Sequence, residues 1–155
     1  MLERWDAAPH VVVNAGEDRG WDWPVELEQL AAWRELLIAE LDGWPIGFIQ
    51  IIDPEYEETQ YWGPTGPGYR AIDIWIGEAG MLGQGHGTAM MRLALEHCFA
   101  PAEVRAVLVD PLAANTRAHR FYQRLGFRPV ERRRFGPDDC LVHRLERGDW
   151  QRLRP

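Results

Sequence analysis

The chain has 155 residues, 46% of them hydrophobic and 26% charged, which is the composition of a globular domain with one substantial core. No apolar run approaches the ~20 residues of a membrane span, and the N-terminus lacks the basic and apolar regions of a signal peptide. The net charge of −7 disfavours nucleic acid as a partner, because neutralising phosphates requires a dense basic face. We therefore expect one cytoplasmic domain over residues 1–155, with neither a membrane nor a nucleic acid as partner.

The spacing of the cysteines and the distribution of charge limit which metals, disulfides and ligands we expect. Cys98 and Cys140 lie far apart and lack the short spacings of zinc ligands, so we expect neither a metal nor a disulfide. The first 80 residues carry 16 acidic side chains and 4 arginines, whereas the remaining 75 carry 8 and 13. This polarity fits a cationic ligand in the first half and an anionic ligand in the second, although solvated surface charge explains the same counts.

In chain order, the hydrophobic pattern predicts a helix and then a hairpin. The helix covers residues 24–36, with proline in its first turn, and the hairpin strands cover 36–41 and 45–52 around an Asp42-Gly43 turn. A long loop of turn residues, acids and aromatics follows. The later elements are a strand over 69–77, a helix over 85–99, a strand over 104–110, a helix over 115–126, and strands over 127–134 and 140–147.

This order of elements predicts an α/β (α+β) fold, in which helices pack on a mixed sheet of about six strands. Residues 1–23 are harder to assign. The run 1–13 fits the end of a helix that leads into an extended segment.

The strand over 69–77 is followed by a turn with glycine at alternate positions, Gly83, Gly85 and Gly87. Glycines between a strand and a helix N-terminus allow backbone N–H groups to converge on an anion such as a diphosphate. The turn lacks the Gly-Lys-Ser/Thr ending of a P-loop and the spacing of a dinucleotide-binding fingerprint. Close packing of helix on strand accounts for the glycines equally well, so the turn by itself is not specific.

A second pattern follows in the stretch DPLAANTRAHRFYQRLGF, from Asp110 to Phe127. Together with GQGHGT, it resembles the acetyl-coenzyme A signatures of the GNAT superfamily of N-acetyltransferases, in the order and at the separation usual there. With YRAIDIWIG added, the stretches look most like the aminoglycoside 6′-N-acetyltransferase branch. The resemblance covers residues 36–148. It implies acetyl-coenzyme A as cosubstrate and the GNAT fold, a mixed and mostly antiparallel sheet with helices on both faces.

The chain departs from the superfamily pattern in two places. Leu82 stands where arginine or glutamine usually begins the phosphate loop. The superfamily also has a strand and a complete first helix ahead of the region that matches residues 2–13. We therefore expect the N-terminal strand to be missing or replaced, which affects one wall of the acceptor pocket and one sheet edge.

The resemblance assigns residues 81–126 to acetyl-coenzyme A binding. It implies that amides of the glycine turn hold the diphosphate, that Asn115 hydrogen-bonds the pantetheine arm, and that Tyr122 protonates the departing thiolate. A helix N-cap is the alternative role for Asn115, and a core position on the apolar face of its helix is the alternative for Tyr122. The implied donor-binding residues are Leu82, Gly83, Gln84, Gly85, His86, Gly87, Thr88, Asn115, Ala118 and Tyr122.

Asp73 is the main catalytic candidate on the acceptor side. Strand alternation places it on one face with Ala71 and Trp75, and aspartate is uncommon in strands. The resemblance implies that Asp73 holds the acceptor ammonium and helps to remove its proton; a solvent-facing aspartate is the alternative. Asp110, at the end of the next predicted strand, is a second catalytic and substrate-binding candidate, or else a turn cap. Because sugar rings stack on aromatics and polyamines need carboxylates, the further substrate-binding candidates are Trp75, Trp62, Tyr61, Glu57 and Glu58.

Together with these residues, the resemblance implies direct attack of a primary amine on acetyl-coenzyme A in a ternary complex. The expected acceptor is an aminoglycoside or a similar polycation, as in a branch associated with antibiotic resistance. An N-hydroxylysine siderophore precursor and a protein α-amine stay open as acceptors. A coenzyme A-binding sensor or interaction module without catalysis is the alternative outside enzymes, and the protein is expected to be a monomer or a homodimer.

Overall fold

An open sheet of six strands organises the protein, whose computed structural model describes residues 1–17, 21–29 and 31–153. The strands are β1 (Arg34–Leu41), β2 (Trp44–Ile52), β3 (Tyr69–Ile76), β4 (Ala106–Val109), β5 (Arg128–Phe135) and β6 (Asp138–Glu146). The helices are α1 (Leu2–Asp6), α2 (Pro9–Val12), α3 (Trp23–Glu28), α4 (His86–Phe99), α5 (Thr116–Arg124) and α6 (Arg147–Leu153). The spatial order is β1-β2-β3-β4-β6-β5, and all neighbours are antiparallel except the parallel pair β3 and β4.

The predicted mixed sheet of about six strands is confirmed, but the helix predicted over 24–36 is wrong in its second half. α3 ends at Glu28, and Arg34 already lies in β1, opposite Ile52 of β2. The residues there are good helix formers, but that preference is weak. Pairing with β2 and packing of Leu36 and Leu37 on opposite faces of the sheet outweigh it.

The N-terminal segment also differs from the expectation. Residues 9–12 are helical rather than extended, because Pro9 at the first position of α2 pre-sets a helical φ. None of the residues 1–17 and 21–29 lies in a strand, and β1 is an edge strand of the sheet. Trp5 of α1 lies directly over Gly77, just after β3, where a Cβ atom would overlap its ring. In the described ranges, no helix is both long and apolar enough to cross a membrane.

The two faces of the sheet bury different clusters. Side chains alternate along β2, so Ile49 and Ile51 face one layer and Phe48 faces the other. α4, α5 and α6 cover the first face and complete the larger core. On the second face, Phe48 packs with Trp5 and Trp23 of the N-terminal helices. Helices therefore lie on both faces, as expected.

The ladder between β3 and β4 is short. It ends where Ala71 lies opposite Leu108, although β3 continues to Ile76. Beyond that pair the facing edges of the two strands no longer bond to each other, which leaves a gap in the middle of the sheet. Two positions past the last pair are Asp73 and Asp110, and strand alternation directs both towards the same face.

Candidate active site

Two carboxylates lie where β3 and β4 separate. Asp73 is in β3, Asp110 directly follows β4, and both are half-buried. Burial, followed by the charge of Asp110, raises the pKa of Asp73 to about 7. Burial also raises the pKa of Asp110. Near neutral pH Asp73 is therefore only partly ionised, and a positively charged group bound beside the pair would favour its ionised form.

Each carboxylate accepts a hydrogen bond from a side chain on another element. The amide of Gln50 in β2 donates to Asp73 Oδ2 at 2.9 Å, and Gln50 is only 4% exposed. The Tyr61 hydroxyl, in the loop between β2 and β3, donates to Asp110 Oδ2 at 2.6 Å. Both bonds favour the ionised carboxylate and so offset part of the rise in pKa. Asp73 is thus not the freely solvated aspartate of the alternative interpretation.

Tyr122 of α5 reaches the same region. Its side chain is 8% exposed, and its ring packs edge-on against Phe121 and Phe127. Burial raises the pKa of Tyr122, and the charges of Asp73 and Asp110 raise it further. The hydroxyl therefore keeps its proton at neutral pH and is available as an acid. Tyr122 therefore occupies the core position that helical spacing predicts, and it also lies close enough to Asp73 and Asp110 to feel their charges.

The glycine turn presents backbone groups rather than side chains. Gly83 and Gly85 have φ angles of 73° and 87°, and a Cβ at either would meet no atom within 4 Å. Gly85 is the N-cap of α4, whose first helical bond runs from Ala89 N to Gly85 O at 3.1 Å. The N–H groups of residues 86–88 therefore have no acceptor within the helix and lie at its positive end. This open end of a 14-residue helix suits a diphosphate.

Gly87 differs from the other two glycines, because it lies inside the first turn of α4. A Cβ there would be 3.7 Å from Ile76 of β3 and 3.8 Å from Phe121 of α5. Since Phe121 directly precedes Tyr122, the first turn of α4 packs against the two elements that carry Asp73 and Tyr122. The start of α4 therefore borders the strand that carries Asp73 and the helix that carries Tyr122.

The other predicted donor-binding residues lie around this turn or at the start of α5. Asn115 is the N-cap of α5, and its Oδ1 accepts from the Ala118 N–H at 3.0 Å. The capping role is therefore present, and it uses only the oxygen of the Asn115 amide. Gln84 donates its amide back to Gly80 O at 2.5 Å. Leu82, His86 and Thr88 are half-buried around the turn.

Two of the predicted substrate-binding residues are buried in the loop between β2 and β3. Trp62 and Glu57 are each 5% exposed. Trp62 packs edge-on against Phe135 at 5.3 Å, and the Glu57 carboxylate accepts the N–H groups of Thr59 and Tyr61. The structure therefore gives both residues a role in shaping the loop.

The remaining substrate-binding candidates are more accessible. Tyr61 and Glu58 are exposed on the same loop. Trp75 is half-buried, and its ring centroid is 4.5 Å from that of Phe48. Its indole N–H is buried and has no hydrogen-bond partner among the residues that the structure describes. Of the five candidates, Tyr61 is the one whose side chain bonds directly to the acid pair.

Sequence reasoning missed several residues that act on the acid pair. Gln50 is a buried amide in an otherwise apolar strand, and that contrast was the available signal. Arg133, from β5, counteracts the rise in the pKa of Asp110. A further missed feature is the stack of His119 in α5 on His143 in β6, with ring centroids 5.1 Å apart. These contacts join residues distant in sequence, so no local pattern reveals them.

Comparisons with known proteins agree with this geometry. Residues 1–135 match the family described as an acetyltransferase (GNAT) domain. The chain is 38% identical over 91 residues to an aminoglycoside N(6')-acetyltransferase type 1 from Klebsiella pneumoniae, a match that spans 58% of this chain and 45% of that protein. It is 39% identical over 72 residues to a kanamycin resistance protein from Rhizobium radiobacter, spanning 46% of this chain and 67% of that protein. The chain thus matches less than half the length of the Klebsiella relative.

Similarity to solved structures extends over the whole chain. The structure of AAC(6')-Ib in complex with ribostamycin and coenzyme A matches 100% of this chain and 91% of its own, with a TM-score of 0.87 and 27% identity. The family match runs from α1 to the end of β5, and the superfamily resemblance found in the two motifs is confirmed. The chain belongs to the acetyltransferase (GNAT) domain family.

Proposed function

We propose that the protein is an acetyl-coenzyme A-dependent N-acetyltransferase that acts on a primary amine of an aminoglycoside or a similar polycation. The observation that carries the proposal is the half-buried pair Asp73 and Asp110 beside Tyr122. Two carboxylates in such surroundings are costly as anions unless a positive group joins them, and an ammonium group does so. The relatives named as aminoglycoside acetyltransferase and kanamycin resistance protein support this class of acceptor.

The residues present fit the cosubstrate. Acetyl-coenzyme A supplies an acetyl group activated as a thioester. The left-handed Gly83 and Gly85 and the free N–H groups of residues 86–88 would hold its diphosphate. The Asn115 amide nitrogen, which the N-cap leaves unused, would donate to the pantetheine arm. Residues 81–126 would thus form the donor-binding part of the domain.

On the acceptor side, Asp73 and Asp110 would bind the ammonium group and accept its proton. An alkyl ammonium has a pKa near ~10.4 and cannot attack a carbonyl until it is deprotonated. With a pKa of about 7, Asp73 is a stronger base than an ordinary aspartate. Because Gln50 donates to Asp73 Oδ2, the other carboxylate oxygen is left for the amine.

Tyr122 would protonate the sulfur as the new N–C bond forms and the C–S bond breaks. One proton leaves the ammonium group through Asp73 to solvent before the attack, and a second leaves the same nitrogen by the same route as the amide forms. Tyr122 regains its own proton from solvent, so two protons are released, one is taken up, and the reaction releases one proton overall. A bound cationic acceptor offsets the charges of Asp73 and Asp110, which lowers the raised pKa of Tyr122 towards that of the thiol.

We further propose a cytoplasmic location, because Cys98 and Cys140 are free, buried thiols of the kind found in reducing compartments. Acetylation removes a positive charge from the acceptor amine. For an aminoglycoside this change would support antibiotic resistance as the biological role.

Thiol release from acetyl-coenzyme A, measured against a panel of amines, tests the proposal. The panel contains kanamycin, ribostamycin, spermidine, Nε-hydroxylysine and a peptide with a free N-terminus. We expect the aminoglycosides to give the highest kcat/KM, because several ammonium groups meet two carboxylates. Turnover confined to the hydroxylamine or to the peptide would replace the proposed acceptor. Binding of coenzyme A without turnover of any amine would instead indicate a sensor or interaction module.

A further inference from the structure

Glu57 is a buried acid that faces its own loop. It is 5% exposed, and three groups donate to its carboxylate. Oε1 accepts the Thr59 N–H at 2.8 Å and the Thr59 hydroxyl, and Oε2 accepts the Tyr61 N–H at 2.6 Å. Hydrogen bonds to an ionised group are about twice as strong as neutral ones, so this carboxylate fixes the backbone of residues 59–61.

The Tyr61 side chain runs from that fixed backbone to the acid pair. Its ring stacks on Phe135, with centroids 4.4 Å apart and planes 9° from parallel, and it meets Trp62 edge-on at 5.7 Å. The guanidinium of Arg133 also lies over the Phe135 ring, at 5.0 Å. Held in this way, the Tyr61 hydroxyl reaches Asp110 Oδ2 at 2.6 Å.

We propose that Glu57 and Tyr61 are positioning residues that act in series, Glu57 fixing Tyr61 and the Tyr61 hydroxyl orienting the Asp110 carboxylate towards the acceptor ammonium. This inference rests on the proposed function of Asp110. It gives both residues a part in the reaction that does not depend on contact with the acceptor. Stacking on Phe135 occupies one face of the Tyr61 ring, and burial removes Glu57 from the cleft.

The charged and titratable groups around Asp110 set the direction of the expected effect. Asp73 faces it from β3, Asp138 and Cys140 from β6, Arg133 from β5 and Tyr122 from α5. Asp138 raises the pKa of Asp110, whereas Arg133 and the Tyr61 hydroxyl lower it. Loss of the hydroxyl therefore leaves less Asp110 ionised at a given pH.

Tyr61→Phe tests the second half of the series, since it keeps the stacked ring and removes only the hydroxyl. We expect kcat/KM for the amine to fall about 10-fold near neutral pH, the usual size for a lost hydrogen bond to a charged group. The acidic limb of its pH profile should move to higher pH, and the KM for acetyl-coenzyme A should not change. Tyr56→Phe is the matched control, because Tyr56 lies on the same loop and is 65% exposed.

Glu57→Gln tests the first half, with Glu55→Gln as the control on the exposed part of the loop. It should shift the acidic limb in the same direction as Tyr61→Phe. The double variant should be no slower than the slower single variant, because residues in series are not additive. If Glu57→Gln does not fold, Glu57→Asp serves, since the shorter side chain cannot reach both Thr59 and Tyr61. If the losses of kcat/KM in the two single variants multiply in the double variant, Glu57 does not act through Tyr61, and the proposed series is overturned.

Carbon-13 NMR of labelled aspartate carboxyls gives a readout that needs no turnover. In the unliganded protein, Tyr61→Phe should move the titration of Asp110 to higher pH, and Tyr56→Phe should leave it in place. An unchanged Asp110 titration in a protein that acetylates amines would overturn the positioning role alone. A shifted titration in a protein that acetylates no amine would overturn the proposed function and, with it, the reaction in which Asp110 is positioned.

Discussion

The proposed donor side and the proposed acceptor side of the site are built in opposite ways. On the donor side, residues 81–126 supply backbone N–H groups at the start of α4 and one capping amide at the start of α5. On the acceptor side, Gln50, Tyr61, Asp73 and Asp110 come from β2, a loop, β3 and the end of β4, and they act through side chains. The first arrangement is local in sequence, and the second exists only in the folded chain.

This difference determines how each side responds to substitution. A backbone N–H is present at every residue except proline, so most side-chain changes leave the donor groups in place. A carboxylate on the acceptor side has no substitute, and its removal leaves a partner unpaired. A single substitution should therefore cost most on the acceptor side.

Asp73→Asn should have the largest effect. It keeps the shape of the side chain and removes the base, so kcat/KM for the amine should fall about 100- to 1,000-fold. The KM for acetyl-coenzyme A should hardly change, because the donor groups lie on other elements. Asp42→Asn, which removes a charge from the exposed hairpin turn, is the control and should match the unmodified protein. A comparable loss of acetyl-coenzyme A affinity in Asp73→Asn would contradict the separation of the two sides.

The pH dependence tests the acceptor side without a substitution. An aspartate with a pKa of about 7 is protonated below that pH and cannot accept another proton. The kcat/KM for the amine should therefore rise as the pH rises through about 7 and then level off. This rise in kcat/KM reports the titration of the Asp73–Asp110 pair. In Asp73→Asn it should move to lower pH, because Asp110 loses a negatively charged neighbour. A profile that is flat between about pH 5 and pH 9 would exclude the pair from the rate.

Tyr122→Phe should come next, with a fall in kcat of about 10- to 100-fold. The loss is smaller than for Asp73 because a thiolate, with a thiol pKa near ~8.5, leaves fairly well without an acid. With an acetyl donor whose thiol is more acidic, Tyr122→Phe should lower kcat less. The measurement is the ratio of the kcat of the unmodified protein to that of the variant, taken with each donor. An equal loss with both donors would indicate that the hydroxyl acts on something other than the sulfur.

Features that depend on a few neighbouring residues could be predicted from the sequence, whereas features that depend on contacts between distant segments could not. The Asp42-Gly43 hairpin, α4 with its glycine turn, and Asn115 as a possible cap follow from patterns a few residues long. The helix predicted over 24–36 is wrong because pairing with β2 is a contact that local propensity does not contain. α6 was missed for a similar reason, since a short polar segment is held by the stacking of Trp150 on Phe99 at 4.8 Å.

The acceptor side shows what strand alternation can predict and what it cannot. It places Asp73 on the correct face, and the parallel register of β3 and β4 explains why Asp110 lies at the same level. It cannot show that Gln50 bonds to Asp73, or that Glu57 is turned into its own loop. Those facts depend on which side chains from distant segments meet, whereas the composition of the loop indicates only that Glu57 is a candidate for substrate binding.

On the donor side, Gly85→Ala should raise the KM for acetyl-coenzyme A about 10-fold. The φ of 87° disfavours any residue with a Cβ by about 1–2 kcal/mol, so the turn would shift and its N–H groups would no longer converge. Gly80→Ala is the matched control, since it lies in the same loop with open space around it and an ordinary φ. Equal effects of the two variants would show that the left-handed geometry is not what binds the cosubstrate.

Substitution of Asn115 should have the smallest effect on acetyl transfer. It tests whether Asn115 only caps α5 or also binds the cosubstrate. Asn115→Ala removes both the cap and the free amide nitrogen, so it should lower stability by about 1 kcal/mol and also raise the KM for acetyl-coenzyme A. Asn115→Asp caps α5 equally well but has no N–H to donate. Thermal unfolding should therefore be nearly unchanged in Asn115→Asp while the KM still rises several-fold. If the KM follows stability and returns to normal in Asn115→Asp, Asn115 is a cap alone, and the donor side depends on backbone groups more completely than the two motifs imply.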